Sequence, residues 1–134
     1  MSHRKGFTLV ELLIVVTIIG ILVAVVIPNF IGVKEKAFDA AAKSDLRNMI
    51  EAEENYFIAA QAYVGLAVST GGFADLDGDG MNDFTASQGI SLSVTAYTDG
   101  LKVTSRHASS SNTWCMNSSG NATVAGAIVK ASSC

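Results

Sequence analysis

An apolar stretch at residues 7–27 limits the possible folds of this chain more than any other feature. Its 21 residues carry a single charge, Glu11. As an α-helix such a stretch extends about 32 Å, close to the ~30 Å thickness of a bilayer's hydrocarbon core. The sequence His-Arg-Lys at residues 3–5 precedes it, and positive charge keeps a flanking segment in the cytoplasm. We therefore expect a membrane-spanning helix that runs outward.

Glu11 is unusual in this setting. A lone carboxylate in hydrocarbon costs on the order of a few kcal/mol or more, so it needs a positive partner. A cut between Gly6 and Phe7 would place a new α-amino group one helical turn from Glu11. The geometry is poor within one chain, but it suits two staggered chains in which the charges neutralise each other. We expect the partner of Glu11 to lie on another copy.

The sequence Lys-Gly-Phe-Thr-Leu-Val-Glu at residues 5–11 resembles the processing site of type IV pilins and related pseudopilins. The resemblance covers roughly residues 1–60. It implies that a membrane-embedded prepilin peptidase cleaves after Gly6 and N-methylates Phe7. It also implies that Glu11 pairs with a neighbouring subunit's N-terminus during filament assembly, with Phe7 and Thr8 at the same contact.

Two plainer interpretations account for less of this segment. A secretory signal peptide has a shorter apolar core and a small-residue cleavage site after it, whereas Pro28-Asn29-Phe30 offers no Ala-x-Ala pattern. An ordinary signal anchor explains the length and the orientation but not the position of Glu11.

We expect an α+β protein in which one long N-terminal helix packs on a C-terminal antiparallel β-meander, the layout that pilins share. Its parts are a leader peptide (1–6), an apolar helix named here the stem (7–28), an amphipathic continuation of that helix (29–60), and a globular head (61–134) that comprises a connecting loop (61–89) and a sheet with a disulfide-bounded end (90–134).

Gly20 and Pro28 weaken the helical pattern of the stem. Glycine lowers helix stability by ~1 kcal/mol relative to alanine, and an interior proline removes a backbone hydrogen bond. The plain interpretation is a bent transmembrane helix. The family resemblance implies that the segment between these residues is often stretched in assembled filaments, so we expect a helix that melts on assembly.

Beyond Pro28 the pattern becomes amphipathic. The apolar face at helical spacing comprises Ala42, Leu46, Met49, Ile50, Phe57 and Ala60. Glu53 falls on this face and interrupts it. We expect Glu53 either to extend its carboxylate to solvent or to pair with a neighbouring subunit.

An acidic, glycine-rich loop lies at residues 75–83. Asp75, Asp77 and Asp79 alternate with other residues as in the first half of an EF-hand loop, and Asp83 follows. The twelfth position is Ala86 rather than glutamate, so the loop resembles the short calcium loops of extracellular proteins and not a true EF-hand. It predicts a weak calcium site, with a solvated acidic turn as the alternative.

Residues 90–134 carry strand patterns. Ile90, Leu92 and Val94 alternate with polar residues, and Asp99-Gly100 is typical of a hairpin turn. We expect a second strand after this turn, a third over 113–116 and a fourth over 122–129.

Cys115 and Cys134 are the two cysteines of the chain, and both lie in its exported portion, where disulfides persist. A bridge between them would close a loop worth roughly 3 kcal/mol in the chain-entropy model. Two free thiols are the alternative. The arrangement resembles the C-terminal disulfide-bounded loop of many type IV pilins.

The residues suggest no catalytic constellation. His107 is the one histidine left after loss of the leader, and there is no glycine-rich phosphate loop. Removal of Arg4 and Lys5 would change the net charge from −3 to −5, which argues against non-specific nucleic-acid binding.

We therefore expect a structural protein, the precursor of a type IV pilin and a major one. The resemblance implies, as partners, identical subunits, the prepilin peptidase, an inner-membrane assembly platform and a cytoplasmic assembly ATPase. It implies passage from the cytoplasmic membrane to an extracellular filament. The alternatives are a pseudopilin of a type II secretion or DNA-uptake system and a membrane-anchored calcium-binding module.

Overall fold

The computed structural model describes residues 6–120 and 126–134, apart from the side chains at positions 28–31. The chain forms two compact units, Met1–Lys34 and Glu35–Cys134. One helix, α1 (Leu9–Ala60), contributes residues to both units. The expected helix is thus confirmed, beginning two residues later than predicted.

Each end of α1 has an identifiable local cause. At the start, Thr8 and Glu11 satisfy free backbone groups with their side chains. At the end, Gln61 adopts the left-handed conformation (φ 55°), and its backbone N–H donates to Phe57 O at 2.8 Å. This single bond closes the last turn as in an αL cap.

The large apolar side chains of α1 from Leu9 to Ile27 are exposed. The large hydrophobic residues from Leu9 to Ile27 have between 46% and 82% of their surface accessible. By length and composition α1 is sufficient to cross a membrane, with a mean hydropathy of 3.1 over its most apolar window. The one hydroxyl in the middle of this stretch, on Thr17, donates to Ile14 O at 2.8 Å, so the helix itself satisfies it.

The second unit contains a five-stranded antiparallel sheet and a small two-stranded one. The strands are β1 (Leu66–Val68), β2 (Phe73–Ala74), β3 (Phe84–Thr85), β4 (Ile90–Tyr97), β5 (Gly100–His107), β6 (Thr113–Asn117) and β7 (Val129–Lys130), followed by a 3₁₀ turn over Ala131–Ser133. The larger sheet has the order β1-β4-β5-β6-β7, and β2 pairs with β3. The strands β4 to β7 form the expected meander.

The core of the second unit lies between α1 and one face of the sheet. Leu46 and Met49 of α1 are fully buried in one cluster with residues from both sheets. The strand members of that cluster are Val68, Ala74, Phe84, Ile90, Leu92, Val94, Leu101, Val103 and Met116. The alternation predicted for β4 is confirmed, because Ile90, Leu92 and Val94 are buried and their polar neighbours are exposed. Of the expected helix face, Ala60 differs, since it is exposed at the end of α1.

The region 61–89 differs from the connecting loop expected for it. It contains β1, β2 and β3, and β1 adds an edge strand through the pair Ala67–Ser93. These strands have two or three residues each, too few to show a period. They are strands because their backbones hydrogen-bond to residues of other strands, and local sequence does not reveal such pairing.

The hairpin turn lies one residue earlier than expected. Tyr97 pairs with Gly100, so Thr98 and Asp99 form the loop and Gly100 begins β5. Glycine is needed there for another reason: a Cβ at position 100 would come within 2.8 Å of backbone atoms of Ser118 and Ser119. Close approach of two backbones, rather than the turn itself, therefore explains this glycine.

The third strand is confirmed and the fourth is shorter than expected. β6 covers the predicted 113–116 and one further residue. Within the described part of the predicted 122–129 region only Val129 pairs with β6, and β7 continues to Lys130. Residues 121–125 lie outside the described residues.

Candidate functional site

The residues predicted for assembly lie at the start of α1, where Thr8 and Glu11 form a reciprocal pair. Glu11 Oε2 accepts from the backbone N–H of Thr8 and from its hydroxyl, each at 2.8 Å. In return Glu11 N donates to Thr8 Oγ1 at 3.2 Å. This is a capping box. Thr8 thus supplies Glu11 with uncharged donors from its own chain, and the expectation of a positively charged partner on another copy stays a prediction.

The Thr-x-x-Glu spacing at the start of an apolar run could have revealed this pair from the sequence. Both bonds to the carboxylate use Oε2, and within the described part of the chain Oε1 has no donor. Gly6 and Phe7 precede the helix and are exposed, Phe7 with 85% of its surface accessible. The capping box thus holds one carboxylate oxygen of Glu11 while the expected processing site stays accessible.

The two residues expected to weaken the stem are part of α1. Gly20 lies within the helix, and a Cβ added there would contact nothing within 4 Å. Helical backbone continues through position 28, but the side chain of Pro28 lies outside the described residues. The predicted melting of this segment on assembly remains a prediction.

The acidic loop connects β2 to β3 and brings three of its four aspartates together. One carboxylate oxygen each from Asp75, Asp77 and Asp83 lies within 4.8 Å of the other two. Asp79 is not part of this group. Its carboxylate accepts from Met81 N at 2.7 Å. The loop therefore offers a three-carboxylate cluster, one member fewer than expected.

Backbone hydrogen bonds hold these carboxylates in place. Asp75 accepts from Gly78 N at 2.7 Å and from Gly80 N at 2.9 Å, and both glycines have positive φ. Asp83 accepts from Leu76 N at 2.7 Å, which joins the two ends of the loop. Because the chain curls around Asp75, the carboxylates converge as the alternating pattern predicts.

The disulfide between Cys115 and Cys134 is formed, as predicted, with Cα atoms 6.2 Å apart. Cys115 lies on β6 and is fully buried. The bridge joins Cys134 to β6, so it fixes a segment whose described residues contain the short β7 and one 3₁₀ turn.

Buried carboxylates of α1 form contacts that the sequence patterns did not predict. Glu53 is fully buried, and its Oε2 accepts from Val64 N at 3.0 Å. Neither expectation for Glu53, exposure to solvent or pairing with another subunit, is correct. Asp45 accepts from Ser87 N at 2.7 Å and from the Ser87 hydroxyl at 2.9 Å.

Asp39 makes a third contact of this kind. Its carboxylate accepts from the Ser110 hydroxyl at 2.5 Å and from the Asn112 side-chain amide at 2.7 Å. Burial raises the pKa of Asp39, but these hydrogen bonds and the charge of Lys43 outweigh that effect and hold the pKa below its usual value. Asp39 is therefore ionised at neutral pH and holds the loop between β5 and β6.

The side chain of His107 packs within the fold and stabilises a turn. Its ring stacks on Phe38 with centroids 4.1 Å apart. Its Nδ1 accepts from Ser109 N at 3.0 Å. These contacts use the ring face and one ring nitrogen for packing and turn formation.

Comparisons with known proteins agree with this arrangement. Residues 1–27 match the family model of the prokaryotic N-terminal methylation motif. The chain is 42% identical over 69 residues to the type IV major pilin protein PilA of Myxococcus xanthus, covering 52% of this chain and 31% of that protein. It is 43% identical over 63 residues to the type IV wide pilus major component PilA4 of Thermus thermophilus, covering 47% and 48% respectively.

A related secretion protein is also similar. The type II secretion system core protein G of Escherichia coli is 43% identical over 55 residues, covering 41% of this chain and 38% of that protein. The chain thus spans between about a third and a half of the length of these relatives. The methylation motif, the apolar helix that continues into an α+β unit, and these similarities together support the resemblance of the chain to the type IV pilin family.

Proposed function

We propose that this chain is the precursor of a type IV pilin, and of a major one, that polymerises through the stem into an extracellular filament. One observation carries the proposal: a continuous row of exposed apolar side chains runs from Leu9 to Ile27, with Glu11 near its tip. Such a surface must lie in lipid or among other stems, because apolar burial contributes ~25 cal/mol per Å² removed from water.

Filament assembly would move the stem from lipid to a bundle of stems. That transfer gains little hydrophobic free energy because both surroundings are apolar. The proposal therefore requires an energy source, which the cytoplasmic assembly ATPase and the inner-membrane platform would supply. The role is structural rather than catalytic, in keeping with the relatives, whose names describe a pilus protein, a pilus component and a secretion core protein.

Processing would take place at the exposed residues before α1. The prepilin peptidase would cut between Gly6 and Phe7 and methylate the new amine of Phe7. The backbone N–H of Thr8 would remain an amide after this cut, so the capping box with Glu11 would survive. The free Oε1 of Glu11 would accept from the amine of a neighbouring subunit.

Intact mass of the protein from cells that contain the export machinery tests this proposal. The expected mass is that of residues 7–134 with one added methyl group and two hydrogens lost to the disulfide. An unprocessed chain recovered only as a membrane resident would contradict the proposal and favour a membrane-anchored calcium-binding module.

A pseudopilin of a type II secretion or DNA-uptake system is the second candidate, favoured by the similarity to the core protein G. Electron microscopy of sheared surface material distinguishes the two. Long filaments that contain this chain identify a pilin, whereas processed chains that remain with the cell envelope identify a pseudopilin.

We also propose that the loop at residues 75–83 binds calcium through Asp75, Asp77 and Asp83. The three converging carboxylates repel one another without a cation, and hard oxygen ligands suit Ca²⁺. Affinity in the range of extracellular modules, a Kd of ~10⁻⁴–10⁻³ M, is expected.

Terbium luminescence and calcium titration of the full chain in detergent test this site. Asp77→Asn should weaken binding at least about tenfold, since it removes one of three charged ligands. Asp99→Asn, which removes one charge outside the loop, is the matched control. Equal binding by both variants would rule out the proposed site.

A further inference from the structure

A groove with a positive lining lies along the part of α1 that belongs to the second unit. It has a volume of about 370 Å³ and is lined by Lys36, Asp39, Ala40, Lys43, Arg47 and Trp114. Lys36 and Arg47 are exposed, and Lys43 Nζ lies 3.5 Å from the centre of the Trp114 ring. This groove plays no part in the contacts proposed above for the stem.

The single carboxylate of the groove does not cancel these charges. Asp39 is already held by Ser110 and Asn112, which point its oxygens towards the loop between β5 and β6. Lys130, the register partner of Trp114 on β7, adds a fourth cation beside the groove. The groove is therefore a cationic surface with an aromatic floor, and it suits an acidic protein segment.

The same unit carries an acidic segment on a different side of α1. Asp77 and Asp83 of the acidic loop line a cavity of about 250 Å³. The helix residues that line the same cavity are Ala52, Asn55, Tyr56 and Ala59. At 100° per residue, the helix positions of this cavity are turned about 150° from Lys36, Lys43 and Arg47. Their centres are about 20 Å apart along the helix axis.

Two complementary surfaces that face different directions cannot meet within one chain, but they can meet between two copies. We propose that the cationic groove of one chain receives the acidic loop, residues 75–83, of a second copy. A contact of this kind is heterologous and repeats in an open array. The proposal rests on the filament function and names the surfaces of the second unit that would set the positions of neighbouring subunits.

A nucleic acid is a poorer occupant of the groove. The chain has a formal net charge of −3, and its field repels a long polyanion. The acidic loop presents only a few charges, and a bound calcium ion would reduce them without reversing their sign. Its carboxylates can approach the groove while the rest of the second chain contributes surface contacts.

Site-specific photo-cross-linking in the assembled full-length protein tests this contact. A photoreactive residue in place of Ala40 lies in the groove and leaves every charge unchanged. We expect a cross-linked dimer in which mass spectrometry places the attachment within residues 75–83 of the second chain. Filaments whose dimers are attached elsewhere, or that yield no dimer, would overturn the contact and leave the filament function intact. Absence of any filament would overturn both proposals.

Charge exchange gives an independent test. Arg47→Asp and Asp79→Arg should each lower the dimer yield about tenfold, because like charges then meet across the contact. Because Asp79 lies outside the three-carboxylate cluster, a lower yield from Asp79→Arg would not result from loss of a calcium ligand. The two changes combined should restore the yield to within about threefold. Lys102→Asp, with the same change of net charge outside the groove, is the control, and no restoration in the combined variant would refute the pairing.

Discussion

At the scale of single residues, the informative side chains are the carboxylates of α1 that bind loops of the second unit. Asp39, Asp45 and Glu53 each hold a different loop through a backbone or side-chain donor. These carboxylates lose hydration in the folded chain: at Glu53 the hydrogen bond offsets that cost only in part, whereas at the half-buried Asp39 the hydrogen bonds and the charge of Lys43 outweigh it. They therefore specify which loop packs at which turn of the helix more than they add stability.

Glu53 should make the stability of the second unit depend on pH. Burial raises its pKa, the hydrogen bond from Val64 lowers it, and the charge of Glu54 raises it further, with a net rise above 4.5. A carboxyl with a raised pKa binds its proton more tightly in the folded state. Its contribution to stability is therefore complete below the unfolded pKa and is lost as pH rises through the folded value.

Glu53→Gln should raise the free energy of unfolding by about 1 kcal/mol at pH 8, because a buried charge is removed while an acceptor for Val64 N remains. The dependence of stability on pH at values above 4.5 should become weaker. Thermal unfolding in detergent at several pH values measures both effects. Glu51→Gln, at an exposed position two residues earlier, is the control. A Glu53→Gln variant less stable than the parent at pH 8 would contradict the prediction.

Asp45→Ala should be strongly destabilising, by about 2–4 kcal/mol, because two hydrogen bonds to Ser87 are lost and the Ser87 N–H loses its acceptor. Asp45→Asn should cost less, since an amide oxygen can still accept from that N–H. Urea unfolding of both variants, with the exposed-site change Ser44→Ala as reference, measures the difference. Equal stability of the alanine and asparagine variants would argue against the backbone bond.

At the scale of secondary structure elements, the strands β4 to β6 are extensive and the elements at both edges are short. β7 has two residues and the following 3₁₀ turn has three. Elements of this length cannot hold their position by ladder bonds alone. The disulfide between Cys115 and Cys134, with a sequence separation of 19, supplies the missing restraint.

Replacement of both cysteines by serine should lower the free energy of unfolding by roughly 3 kcal/mol, as expected for a loop of this length. Hydrogen exchange should show the loss first in Val129–Lys130 and the 3₁₀ turn, while β4 and β5 keep their protection. The same variant under reducing conditions is the control, because only the parent chain should respond to the reductant. Uniform loss of protection across the sheet would show that the bridge supports more than the C-terminal segment.

At the scale of the whole molecule, one chain combines an exposed apolar helical surface, from Leu9 to Ile27, with a second unit that has its own hydrophobic core. Glu11 belongs to the first unit, where the capping box engages one of its carboxylate oxygens. In the proposed assembly, the remaining oxygen would accept from the amine of another chain. Glu11 is therefore already hydrogen-bonded to Thr8 within its own chain.

Glu11→Leu should insert into the membrane and be processed normally, yet yield at least about tenfold less filament, since the contact that sets the register is lost. Immunoblots of membrane and sheared fractions measure insertion and assembly together. Thr8→Val, which removes the capping hydroxyl but keeps the carboxylate, separates the two roles of Glu11 and should assemble better than Glu11→Leu. Normal filament yield from Glu11→Leu would contradict the register role.

Local sequence determined the stem, the methylation motif and the strands β4 to β6. These features depend on run length, charge placement and alternation, which act between near neighbours in the chain. The tertiary structure alone decided the loop contacts of Asp39, Asp45 and Glu53, the strands within 61–89 and the cationic groove beside Trp114. The Asp45–Ser87 and Asp39–Asn112 contacts join residues 42 and 73 positions apart. No local periodicity encodes such pairs, because only the packing of α1 against the sheet brings their atoms within hydrogen-bonding distance.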